Sequence, residues 1–266
     1  MDEQLYSLVD RLNDPTLLKT NVISWGCPVP SFGDLANSKI ATIGLNPSNR
    51  EFVDENGEEL NGTDRRFHTL SSLGIKCWAE AKQQHLDLIL RLCREYFNRN
   101  PYDRWFKKLD YLISGTSMSY YFPSSQACHL DLIPYATSVK WTNLTTEQRS
   151  SLLELTGDSL GILLKESPVE LLVLNGKTVV DNFGKISNIQ FDTKLMENWM
   201  LPRKSNDGVP GYAYTGSVRK IGGVVLDQEV FVLGYNHNIQ SSFGVTKEVQ
   251  MSIRKWISNS AKEIFA

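Results

Sequence analysis

Lys39-Ile40-Ala41-Thr42-Ile43-Gly44-Leu45-Asn46-Pro47-Ser48 is the stretch that decides the fold. Four of its first five residues are aliphatic or β-branched, apolar enough to be buried on both faces, and the run stops at a glycine. Asn46 is held extended by the proline behind it, so an amide side chain stands at the carboxyl end of a buried strand. Open α/β sheets bind ligands in that place.

Working outward, Cys128-His129-Leu130-Asp131-Leu132-Ile133-Pro134 reads as a second buried strand ending at a proline. Val169-Glu170-Leu171-Leu172-Val173-Leu174 reads as a third, bounded by Pro168 and Asn175-Gly176. Val230-Phe231-Val232-Leu233-Gly234-Tyr235 reads as the last strand and runs into a polar loop, Asn236-His237-Asn238. Helical spacing links these strands. Leu5, Leu8, Val9 and Leu12 stop before Asp14-Pro15. Leu86, Leu90, Cys93 and Phe97 stop before Asn100-Pro101, and Thr145-x-x-Gln148 forms a capping box ahead of Leu153, Leu160 and Leu164. Another helix starts at Lys177, and Val249, Ile253, Trp256 and Ile257 mark the final one. Strands alternating with helices predict a three-layer α/β/α sandwich around a mainly parallel sheet, with a hairpin turning at Gly222-Gly223.

With 266 residues and 41% apolar content, one domain over 1-266 can bury a full core. The start, Met1-Asp2-Glu3, lacks a basic segment leading an apolar one, and no apolar run approaches the ~20 residues of a membrane span. A cytoplasmic protein with no membrane partner is the expectation. Cysteines 27, 77, 93 and 128 contain no Cys-x-x-Cys pair, so free thiols are expected, with no metal and no cofactor. A net charge of −2 means that affinity for a polyanion has to come from local clusters. Arg65-Arg66, Arg203-Lys204 and Arg219-Lys220 are the basic pairs available. Residues 46–69 carry many turn formers and little periodicity, which suits a long substrate-facing loop.

Three strand ends thus bear Asn46, Asp131 and Asn236-His237. In this order they resemble the uracil-DNA glycosylase superfamily, whose members follow the first strand with Gly-x-Asp/Asn-Pro, carry a base-reading Asn on a middle strand, and end in a His- or Asn-led loop. The first motif, Gly44-Leu45-Asn46-Pro47, matches closely; the other two match in position and type. The resemblance covers roughly Trp25 to Phe243 and implies one glycosylase-like domain acting on flipped bases in DNA, with no obligate protein partner.

Under that resemblance Asn46 positions the attacking water, and His237 or its neighbour Asn236 hydrogen-bonds the leaving base. Gly44, Leu45, Pro47, Ser48 and Asn238 border the base. Phe67 stacks on it, with Tyr120-Tyr121-Phe122 as the alternative, while Arg65, Arg66, Arg219, Lys220 and Gln240 contact DNA. Ile239, Gln240 and Phe243 are the wedge candidates. An amide cannot take a proton as a carboxylate does, so catalysis relies on dissociation of the base ahead of water attack.

Asp131 falls where the family has Asn. An ionised Asp only accepts hydrogen bonds, which suits the N4 amino group of cytosine and opposes O4 of uracil. Ser48 replaces the tyrosine that crowds the C5 edge in uracil-specific relatives, leaving room for a C5 substituent. A 5-substituted cytosine follows, as in the similar bacterial antiphage glycosylases that excise α-glucosylated hydroxymethylcytosine from phage DNA. The alternatives are a uracil or mismatch glycosylase, a non-catalytic modified-base reader and a small-molecule nucleoside hydrolase.

Overall fold

The computed structural model describes residues 2–99, 103–203 and 208–265. Its centre is a six-stranded sheet in the order β2-β1-β3-β6-β5-β4. The strands are β1 (Ile40–Gly44), β2 (Ala127–Asp131), β3 (Leu171–Asn175), β4 (Asp192–Leu201), β5 (Val209–Ile221) and β6 (Val224–Tyr235). β2, β1, β3 and β6 pair in parallel, and β5 runs antiparallel between β6 and β4. Helices cover the sheet, giving the α/β/α sandwich.

β2 and β3 are buried at every position, which explains their near-continuous apolar runs, as parallel strands covered on both faces require. One hydrophobic core cluster among the described residues runs from Leu5 to Ala261. The opening helix, Asp2–Asp10, seats Leu5, Leu8 and Val9 in that core. Asp14 then accepts from the Thr16 backbone N–H and Pro15 opens the next turn. Both halves of the Thr145–Gln148 capping box form, and the helix behind it breaks after Thr156 before resuming at Ser159–Leu164. Gly222 and Gly223, at φ of 57° and 88°, make the tight turn between β5 and β6.

Strand β4 is not apparent in the sequence. It is an edge strand whose side chains are mostly exposed, with only Trp199 and Leu201 buried, so its composition carries charge and little alternation. The segment 46–69 is built from short turns, including 3-10 turns at Asn49–Glu51 and Gly62–Asp64. No helix among the described residues is long and apolar enough to cross a membrane. Cys27, Cys93 and Cys128 are buried free thiols and Cys77 is exposed; burial pushes Cys93 and Cys128 up to about 12.

Strand order reverses between β1 and β3: β1 leads to β2 on one side, and the chain then crosses back to β3 on the other. The carboxyl ends of β1, β2, β3 and β6 consequently open onto one crevice.

Candidate functional site

That crevice is a cavity of about 690 Å³. Gly44 ending β1 and Leu45 to Ser48 beyond it, Asp131 ending β2, Asn175 ending β3, and Asn236 and Asn238 after β6 all line it. Its apolar wall is Phe32, Trp105, Phe106 and Trp141, and its cationic groups are Lys140, Arg149 and Lys177.

Asn46 is held by its amide nitrogen. Nδ2 donates to the Thr137 hydroxyl at 3.0 Å and lies 3.2 Å from the Pro47 carbonyl and 3.4 Å from the Tyr135 carbonyl. Thr137 spends its own proton on the Val139 carbonyl at 2.7 Å, so its oxygen must accept from Asn46. With acceptors gathered on this side, the NH2 group belongs here and Oδ1 is the group left for a ligand or water.

Asp131 is buried, 5% exposed, at the other side of the β1 strand end. A Cβ on Gly44 would lie 2.3 Å from Asp131 Oδ1 and 2.9 Å from His129 Nε2, so only glycine fits between them. His129 Nε2 stands 3.6 Å from Asp131 Oδ1. Its Nδ1 hydrogen-bonds Thr42 Oγ1 at 2.7 Å, and Thr42 in turn bonds the Tyr120 hydroxyl. A buried polar chain, Tyr120–Thr42–His129, thus ends beside Asp131. Tyr120 belongs to this chain and to the aromatic core, stacking on Phe97 at 4.6 Å.

The aromatic wall, the three cations, Asn175 and two further polar residues, His129 and Glu51, all escaped the sequence reading. His129 lies two positions before Asp131 on β2, and the period-two rule puts both on one face of the strand. Glu51 lies within the long loop, 4% exposed, with the Tyr96 hydroxyl donating to its carboxyl at 3.0 and 3.1 Å. Burial drives its pKa up to about 8, assisted by the charge of Asp131 and opposed by Arg66 and the Tyr96 bond. Nothing in the local sequence marks Glu51; the groups that act on it, Tyr96, Arg66 and Asp131, come from other segments.

Several expected site residues stand elsewhere. Phe67 is 1% exposed and packs on Phe32 and Tyr96 with ring centroids 5.4 Å apart in each case, so it supports the wall from behind and is not a cavity surface. His237 does not line the cavity: Nε2 bonds the Trp199 carbonyl at 2.7 Å, tying the last loop to β4. Burial lowers its pKa, which suits a neutral ring. Asn236 does line the cavity, yet its side chain pins β5 by accepting from Tyr212 N and donating to the Pro210 carbonyl, each at 2.8 Å. Asn238 Oδ1 caps Gln240 and Ser241, both at 3.0 Å.

Gln240 accepts from Asn175 at 2.6 Å and donates to the Trp105 carbonyl at 3.4 Å, so it braces two lining residues from outside the cavity. Ile239 is buried, whereas Phe243 is 80% exposed beneath the Arg203 guanidinium. Arg219 pairs with Glu229 at 3.2 Å, and Lys220 sits opposite Val225. Both lie near the carboxyl end of β5, beyond Ala213, which pairs with Tyr235 at the cavity end, so they are roughly 20 Å of strand from the cavity because a strand rises about 3.3 Å per residue. Arg65 and Arg66 line a separate cavity of about 280 Å³ with Arg99 and Tyr96, and Arg66 donates to the Arg50 carbonyl at 2.9 Å. Lys204 lies outside the described residues.

No family model matches this chain and no curated protein matches its sequence. The site's chemistry therefore has to be read from its own groups. They are a fixed amide carbonyl, a buried carboxylate position beside a histidine, a second buried carboxyl, an aromatic wall and a basic rim. Among the described residues no three His, Cys, Asp or Glu side chains gather as a metal site.

Proposed function

We propose that the protein is a DNA glycosylase that hydrolyses the N-glycosidic bond of a flipped 5-substituted cytosine, such as α-glucosyl-hydroxymethylcytosine in phage DNA. The observation that carries this reading is the meeting of Asn46 and Asp131 at adjacent strand ends on one cavity. Pockets for small molecules span roughly 300–1,000 Å³, and this cavity offers more room than a bare pyrimidine fills. Enzymes working on a base must draw it from the stack into such a pocket.

In this reading the aromatic wall receives the ring, with Trp105 the most open of its faces, and Asp131 accepts from the N4 amino group. Asn46 Oδ1 accepts from a water and aims its lone pair at C1′ of the sugar. As the C1′–N1 bond breaks, its electron pair leaves with the base and the sugar gains oxocarbenium character. The water then adds to C1′, releasing a proton and leaving an abasic site. Lys140, Arg149 and Lys177 on the rim offer contacts for the phosphates on either side of the flipped nucleotide. Ser48, exposed at the mouth, leaves space for the C5 substituent. The expected biological setting is antiphage defence.

The test is incubation with oligonucleotides carrying unmodified cytosine, uracil or glucosylated hydroxymethylcytosine, followed by alkaline cleavage of abasic sites. Strand breaks confined to the glucosylated substrate are expected. Cleavage at uracil alone would make the protein a uracil glycosylase. Binding without cleavage of the glucosylated DNA would make it a reader.

A further inference from the structure

We infer that Glu51 is the general acid of this site, donating its carboxyl proton to the departing base at the ring nitrogen next to the amino group that Asp131 holds. The inference rests on the glycosylase reading and deepens it. Cytosine is a poor leaving group, and its departure as an anion calls for a proton donor on the base. Of the two residues expected to hydrogen-bond the leaving base, His237 is turned to the Trp199 carbonyl and does not line the cavity, while Asn236 lines it with its side chain committed to Tyr212 N and the Pro210 carbonyl. Glu51 does line it, five residues beyond Asn46 and within the same 3-10 turn that Ser48 caps.

The surroundings of Glu51 keep its proton in place. Its carboxyl meets the Tyr96 hydroxyl from the helix Tyr96–Arg99, the charge of Asp131 from the end of β2, and Arg66 from the loop. Burial outweighs the two groups that favour ionisation and places its pKa at about 8. Glu51 thus brings an acid to the cavity that Asp131 lines as the N4 acceptor of the glycosylase reading. The edge of cytosine presents a complementary pair: an N4 amino donor beside the N3 acceptor. A pKa near the working pH is also where general acid catalysis is most effective.

The step balances. The C1′–N1 bond breaks and its electron pair enters the base; the Glu51 proton passes to N3, so the base leaves neutral. Water adds its oxygen to C1′, and the proton it sheds restores the Glu51 carboxyl through solvent.

The test measures single-turnover base release from glucosylated-hydroxymethylcytosine DNA between pH 5 and 10 for the wild type, Glu51→Gln and Tyr96→Phe, with DNA affinity measured in parallel. The wild-type rate should fall about tenfold per pH unit above about 8. Glu51→Gln, which keeps size and donor capacity but has no transferable proton, should be on the order of 100-fold slower at pH 7 and flat across the alkaline range, at near-unchanged affinity. Tyr96→Phe removes a bond that favours the carboxylate, so its alkaline limb should move to higher pH, an effect a purely structural glutamate would not produce. An alkaline limb preserved in Glu51→Gln, or a rate within a few-fold of wild type, overturns the role of Glu51 and leaves the glycosylase reading standing. Absence of base release by the wild type overturns both.

Discussion

The Asn46 amide nitrogen and the Thr137 hydroxyl oxygen lie 3.0 Å apart, joining the turn after β1 to the segment after β2 across 91 residues of chain. Because Thr137 donates onward to Val139, this bond has only one direction, and it fixes which end of the Asn46 amide is free. A freely rotating amide would spend part of its time with the wrong end toward the substrate.

Asn46→Ala should abolish base release with the fold intact, since Asn46 is only partly buried and its loss removes a preorganised group. Such a loss costs on the order of 100-fold or more in rate. Asn46→Asp should also fail, because a carboxylate would face the oxygens of Thr137, Pro47 and Tyr135. Thr137→Val should lower both activity and stability, the latter by roughly 1 kcal/mol for one lost hydrogen bond. Near wild-type turnover in Asn46→Ala would remove the residue from the mechanism.

Asp131→Asn should turn preference from cytosine-type bases toward uracil. A carboxylate opposes uracil O4 acceptor against acceptor, whereas Asn can offer its NH2 to O4 and its carbonyl to N3–H. Matched oligonucleotides carrying uracil, cytosine and glucosylated hydroxymethylcytosine report the ranking. An unchanged ranking in a folded variant would make Asp131 structural.

Gly44→Ala should damage the site more than the fold. The added methyl would fall 2.3 Å from Asp131 Oδ1, so the carboxylate and His129 must shift. Overpacking of this kind costs about 1–3 kcal/mol, readable as a lower denaturant midpoint, with a larger proportional loss of base release.

Phosphate binding should belong to the cavity rim. Neutralising Lys140 and Arg149 should flatten the salt dependence of DNA binding by about one counterion for each phosphate no longer neutralised, whereas Arg219→Gln should leave it unchanged. A slope altered by Arg219 and indifferent to the rim would move the DNA to the other end of the sheet.

Stability should respond to pH through two buried groups of opposite sign. Glu51 is raised from 4.5 to about 8, so its contribution is complete at acid pH and is lost as pH rises across that interval. His68 is lowered from 6.5 to about 4, by burial first and then by Arg65 and Arg99, so its contribution is lost as pH falls across that interval. Denaturant midpoints should therefore show Glu51→Gln gaining on wild type toward pH 8, and His68→Gln gaining toward pH 4. Parallel pH profiles for wild type and both variants would refute the assignment.

Much of this molecule can be read one residue at a time. The runs around Ile40, Leu130 and Leu172 are strands because their apolar side chains leave no face for water, and Pro15, Thr145 and Gly222-Gly223 end or begin elements through local backbone chemistry. Asn46 and Asp131 are visible for the same reason: a polar residue closing a buried strand stands out against its neighbours. The edge strand β4 is not visible, since mostly exposed side chains leave no periodic signature. Which polar groups share a cavity was decided only by tertiary structure, because strand order and the packing of Tyr96 and Arg66 bring together residues far apart in sequence. Hence Glu51, ordinary in its local sequence, is a buried acid, while the conspicuous His237 and Phe67 serve β4 and the core. Local sequence sets what each side chain can do, but its desolvation and its partners depend on where distant segments pack.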